Sequence, residues 1–105
     1  MIPKLGEVWM VDMGMMGKIR PTVVVLDDQF PVERSLIVHV PITSQNRGSC
    51  LEVSLGHLRF LSPESVANVQ GIGSLPKARF ERKLGVLPEA DMERIRAAMR
   101  QAFRL

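Results

Sequence analysis

A single cysteine, Cys50, among 105 residues rules out an intrachain disulfide and points to a reducing compartment. Long hydrophobic runs are missing too. The longest apolar stretches, residues 22–26 and 36–40, fall far short of a bilayer crossing. The first residues lack the basic, apolar and small-residue succession of a secretory leader, so a cytoplasmic location without membrane attachment is expected. His39 and His57 stand apart and one cysteine cannot build a zinc site, so neither a metal nor a cofactor is expected. No glycine-rich phosphate loop joins a strand to a helix, and Gly-x-Ser-x-Gly is absent, which leaves nucleotide binding and a nucleophile elbow unsupported. Repeats, low-complexity tracts and linkers are absent as well, so residues 1–105 are expected to form one domain.

What is present suits a folded globule: 46% hydrophobic and 24% charged residues. Fourteen Lys and Arg against eleven Asp and Glu give a net charge of +3, a mild attraction for polyanions. The polar–apolar alternation that opens residues 7–12 predicts a half-buried strand. Gly14 and Gly17 then bracket Met15 and Met16 in a loop that packs locally or closes over a bound partner. Residues 22–26 are β-branched and nearly all apolar, a central strand buried on both faces, and Asp27, Asp28 and Pro31 supply turn chemistry. Residues 35–40 read as the next strand, stopped by Pro41. A polar segment, residues 45–49, leads to short strands at 51–55, 66–69 and 72–75, with a break at Gly71.

The last segment reads as a helix. Met92, Ile95, Met99 and Ala102 form one apolar stripe, and Pro88 suits the first turn. Glu89 and Asp91 lie near the positive end of the helix dipole, and Arg100 and Arg104 near the negative end. Its basic residues read as a solvated outer face and the helix as a packing element. Several short strands followed by one helix define a mainly β fold, a small curved antiparallel sheet or barrel.

Gly6-Glu7-Val8-Trp9, Arg20-Pro21 opening a valine-rich strand, and Val40-Pro41-Ile42-Thr43-Ser44 closing the next resemble the MazF/PemK family of toxin ribonucleases. Ser65-Val66-Ala67 and then Arg82-Lys83-Leu84-Gly85-Val86-Leu87 continue the likeness in the same order, from Pro3 to Phe103. The resemblance implies an SH3-like (PemK/CcdB-type) small barrel with a C-terminal α-helix and a homodimer. It implies metal-independent cleavage of single-stranded mRNA at short specific sequences, by 2′-hydroxyl attack to a 2′,3′-cyclic phosphate, and a cognate antitoxin whose acidic flexible tail occupies the RNA groove. It also implies that Arg20 and Thr43 form the catalytic pair.

The chemistry suits those residue types. When the RNA 2′-hydroxyl attacks the neighbouring phosphorus, charge builds on the phosphoryl oxygens, and an arginine fork can donate two parallel hydrogen bonds to them. A neutral threonine is no strong base, so Thr43 is expected to position and to hydrogen-bond the transition state. Lys18, Ser44, Gln45 and Gln70 are the expected RNA-binding residues. Gln70 stands where many members of the family carry a carboxylate, and Gly73 where many carry an arginine. Without the resemblance, Arg20 is an exposed charge beside a strand-opening proline, and Thr43 and Ser44 are turn-formers. Trp9 reads as a core anchor and His39 as a sheet residue. Two alternatives stay open: a non-catalytic toxin resembling CcdB, which binds DNA gyrase, and a degenerate RNA-binding relative.

Overall fold

A computed structural model of the chain describes residues 2–14, 18–29 and 35–105. Met15, Met16 and the turn expected at Pro31 lie outside the described residues. Seven strands, β1 (Glu7–Asp12), β2 (Ile19–Val24), β3 (Leu36–Thr43), β4 (Glu52–Ser54), β5 (Val66–Asn68), β6 (Gly73–Pro76) and β7 (Phe80–Val86), precede one helix, α1 (Glu89–Phe103). Their pairings are all antiparallel. The order is β4-β5-β3-β2-β1-β7, with β6 on the remaining part of β3. β6 and β7 follow each other through one 3-10 turn, Lys77–Arg79, so the circuit β3-β2-β1-β7-β6-β3 is closed by the chain rather than by a last ladder. That circuit is small-barrel-like, as expected, without being a closed barrel.

Alternation along the strands divides the apolar side chains between two clusters. Val8, Val23, Val40 and Ile42 meet Leu55, Val69 and the helix residues Met92, Ile95 and Ala98. Trp9, Val11, Val24 and Ile37 meet Phe80 inside the barrel. Trp9 packs edge-to-face on Phe80 with ring centroids 6.4 Å apart, and its Nε1 donates to Glu7 at 2.9 Å. Each fully buried aliphatic side chain, such as Leu55 or Ile95, stabilises the fold by about 1.5–3 kcal/mol.

The differences from the expected elements have physical causes. β3 runs through Pro41 instead of stopping there. Pro41 sits where β3 changes neighbour, from β6 along Leu36–His39 to β5 at Ile42–Thr43, so no ladder needs its missing N–H. β2 begins at Ile19 and ends at Val24, earlier at both ends than residues 22–26. β7 is a strand that charge conceals: Glu81, Arg82 and Lys83 are exposed on a sheet edge, with Lys83 bonded to Glu7 at 3.1 Å. Gly85 is where the Phe60 ring lies against the β7 backbone, and a Cβ there would come within 2.6 Å of that ring. Val69 belongs to a 3-10 turn, not to a strand.

The helix stripe is as expected at Met92 and Ile95, with Met99 and Ala102 partly buried. Asp91, expected near the positive end of the helix dipole, lies in the first turn and is buried there. It meets His57 Nε2 at 3.0 Å and Arg94 at 3.1 Å, and Arg94 also donates to the Ser54 carbonyl at 2.9 Å. Arg94 thereby joins α1 to β4, and Asp91 joins it to the segment after β4. The basic residues on the outer face pair with the helix's own acids, Arg96 with Glu89 and Arg100 with Glu93.

Candidate functional site

The β2–β3 ladder ends where its chemistry runs out. Val25 N–H donates to the Val38 carbonyl at 3.0 Å, and pairing continues from Val24↔His39 to Thr22↔Pro41. Alternation makes residue 21 the next to offer an N–H towards β3, and Pro21 has none. The two strands therefore stop pairing there. Continuing the same register by two residues brings Arg20 opposite Thr43, on the face shared by Thr22 and Pro41.

A basin of about 370 Å³ opens at this point, lined by Arg20, Thr43, Lys18 and Gln45 over an apolar floor of Met13, Pro41 and Ile42. Arg20 is half-buried and Lys18 exposed. Among the described residues neither has a carboxylate within ion-pair distance. Thr43 Oγ1 accepts the Gln45 backbone N–H at 3.1 Å, which leaves the threonine proton free to donate into the basin.

One pairing step further into the sheet, Thr22 and His39 form a buried polar pair. Thr22 Oγ1 lies 2.6 Å from His39 Nδ1 and donates to the Val40 carbonyl at 2.8 Å. A hydroxyl has one proton, so both contacts are made when His39 carries its own proton on Nδ1 and donates it to Thr22. Burial holds the His39 pKa below the ordinary histidine value, which keeps the ring neutral. His39 is thus the sheet residue expected, edge-to-face with Phe80.

A second basin of about 330 Å³ adjoins the first, since Thr43 and Gln45 line both. Its other walls are Arg47, Ser49, Glu52, Asn68 and Gln70. Of the residues read from sequence, Arg20, Thr43, Lys18 and Gln45 come together in the first basin and Gln70 in the second; Ser44 is exposed and lines neither. Gly73, beside His39 on β6, likewise lines neither. The sequence reading missed Arg47, Glu52 and Asn68. Their one signal is the density of amide, hydroxyl and charged side chains between Gln45 and Glu52, next to the end of β3. Among the described residues no group of three His, Cys, Asp or Glu side chains is placed to hold a metal ion, and no helix is long and apolar enough to cross a membrane. Two cations, a hydroxyl and amides around an open groove are the complement of a phosphodiester chain.

Residues 4–103 match the model of a protein family described as PemK-like, MazF-like toxins of type II toxin–antitoxin systems. Solved structures share the fold across nearly the whole chain. An endoribonuclease in complex with its cognate antitoxin, from a mycobacterial species, superposes with a TM-score of 0.85 at 25% identity, over 98% of this chain and 96% of that one. MazF from Deinococcus radiodurans gives 0.84 at 21% identity, over 100% and 99% of the two chains. The Mycobacterium tuberculosis toxin MazF-mt6 gives 0.83 at 21% identity, over 94% and 97%.

Proposed function

As the chain belongs to the PemK-like, MazF-like toxins of type II toxin–antitoxin systems, we propose that it is an endoribonuclease that cuts single-stranded mRNA at short sequences without a metal. The observation that carries this reading is the convergence of Arg20 and Thr43 on one basin at the end of the β2–β3 ladder.

In the proposed reaction the 2′-oxygen of the RNA attacks the adjacent phosphorus and the P–O5′ bond breaks. The products are a 2′,3′-cyclic phosphate and a 5′-hydroxyl. Arg20 donates its guanidinium N–H groups to the phosphoryl oxygens, on which negative charge grows. Thr43 donates its free proton to the same group and holds it against Arg20. Lys18 draws the backbone in. Among the described residues that line the first basin there is no carboxylate or imidazole, so in this reading the 2′ proton passes to water and the 5′ oxygen is protonated from water.

The remaining partners follow from the same membership. The cations of the groove suit the acidic tail of an antitoxin, which competes with RNA for the same charges. The MazF-like fold is expected to work as a homodimer in the cytoplasm, and the exposed Val86, Phe103 and Leu105 side chains are apolar surface available for pairing.

Incubation of the purified protein with single-stranded RNA in EDTA tests the proposal. Cleavage with cyclic-phosphate ends, blocked by one 2′-deoxy nucleotide at the cut site, is the expected result. Intact RNA under conditions where the protein still arrests growth would instead support the gyrase-binding alternative.

A further inference from the structure

The two adjoining basins differ in what they can recognise. The first has an apolar floor and the two cations that suit a phosphate. The second is walled by side chains that hydrogen-bond in defined directions: Arg47, Asn68 and Gln70, with Gln45 shared between the two. Side chains of this type read base edges, whereas phosphate contacts carry no sequence information. Because Thr43 and Gln45 border both basins, a base in the second belongs to a nucleotide next to the phosphodiester held in the first.

The wall that carries Arg47 hangs on one side chain. Glu52, the first residue of β4, accepts the Arg47 backbone N–H on both carboxylate oxygens, at 3.1 and 3.3 Å, and the Ser49 N–H at 2.9 Å. The Glu52 N–H in turn donates to the Ser49 carbonyl at 3.1 Å. The other hydrogen bonds of this segment are Gln45 N–H to Thr43 Oγ1, Gly48 N–H to Asn46 Oδ1, Leu51 N–H to Ser49 Oγ, and a long contact of 3.9 Å from Gln101 Nε2 on the helix to Cys50 Sγ. Gly48 turns the segment with φ +71°, a conformation that favours glycine. Across the β4–β5 ladder Glu52 stands opposite Asn68, so the carboxylate that shapes the wall is next to an amide on the far side of the basin.

We propose that Glu52 is a positioning residue for sequence discrimination: it holds the segment from Gln45 to Cys50 as the wall of a base-reading subsite, in which Arg47, Asn68 and Gln70 select the nucleobase beside the cleaved phosphodiester. The inference rests on the endoribonuclease reading and deepens it. Glu52 acts through the backbone it holds, so its removal loosens selection while Arg20 and Thr43 remain in place. Glu52→Gln retains one carbonyl acceptor for the Ser49 and Arg47 N–H groups and keeps part of the order.

The test uses short single-stranded RNAs randomised at the positions flanking one cut site, with the cut ends sequenced. The wild-type protein prefers one base at a flanking position by about tenfold or more, the worth of a single well-made base contact. Glu52→Ala reduces that preference by about tenfold, through a higher KM on the favoured sequence, and leaves kcat and cleavage of disfavoured sequences near wild type. Glu52→Gln falls between the two. Gln70→Ala, at an exposed side chain outside the Glu52 hydrogen bonds, flattens the preference without loss of folding, and it carries the test should Glu52→Ala fail to fold. An unchanged preference profile in Glu52→Ala and Gln70→Ala would overturn the inference alone. Uniform loss of cleavage on every sequence in a folded Glu52→Ala protein would also overturn it, because Glu52 would then serve the chemistry itself. A wild-type protein that cuts no RNA would overturn the endoribonuclease reading and this inference together.

Discussion

The outer face of α1 and the mouth of the β2–β3 ladder both carry arginines, and they use them in opposite ways. On α1 each charge has a partner nearby: Arg96 with Glu89 at 2.6 Å, Arg100 with Glu93 at 3.3 Å, Arg94 with Asp91 at 3.1 Å. At the ladder mouth, among the described residues, Lys18, Arg20 and Arg47 have no acidic side chain within ion-pair distance. A count of basic residues, three in each region, does not separate the helix from the groove as a nucleic-acid surface; the pairing favours the groove. Cations left unneutralised by their own fold are the ones available to a polyanion.

Exchanging charges between the two regions should therefore have unequal effects. Arg20→Ala is expected to lower the cleavage rate on single-stranded RNA about 10²–10³-fold, the typical loss of one transition-state donor, with the melting temperature nearly unchanged. A large loss of stability would move Arg20 from the site to the scaffold. Asp91→Ala is expected to do the reverse. It removes the buried carboxylate that links α1 to His57 and holds Arg94 within the helix, costing about 1–2 kcal/mol of stability by urea denaturation, while the folded fraction cuts RNA at the normal rate.

Two groups of the sheet, His39 and Glu7, differ in how acid reaches them. Burial lowers the His39 pKa, so the unfolded chain takes up a proton below about pH 6.5 while the folded chain resists it. Stability is expected to fall as the pH drops from about 6.5 towards the folded-state value, and His39→Gln should flatten that part of the curve. Glu7 acts in a separate, more acidic window. Its partial burial alone would raise its pKa, but hydrogen bonds from the Lys4 backbone and Trp9 and the Lys83 ion pair outweigh this and lower it. The stability Glu7 contributes is complete above its ordinary value near 4.5 and is lost as the pH falls through the lowered one. Urea midpoints measured across both windows would separate them. The smallest effect is expected from Arg96→Ala, an exposed helix charge: no measurable change in cleavage, and a melting temperature close to wild type.

The parts of this architecture that were legible in sequence rest on local pattern. The alternation around Trp9, the apolar run at Val23 and Val24, and the Met92–Ile95 stripe each indicate their element, because a buried face repeats with the period of the backbone. β7 was not legible. Its outward side chains are charged and its close contact with Phe60 needs a glycine, so neither alternation nor propensity marks it. The site was legible in part. Arg20 and Thr43 were found through family resemblance, yet what places them together is the missing N–H of Pro21, whose effect depends on which strand lies alongside. The roles of Asp91 and Glu52 were not legible, since the groups they hold, His57 in one case and two loop amides in the other, are set by tertiary pairing.

The central claim is that Arg20 and Thr43 act on one phosphodiester. Single-turnover cleavage of one single-stranded RNA in EDTA by the wild type, Arg20→Ala, Thr43→Ala and the double variant tests it most directly. The double variant is expected to lose far less than the product of the two single losses, because either change alone already disarms the shared transition state. Losses that multiply fully, with each residue contributing independently, would contradict the claim.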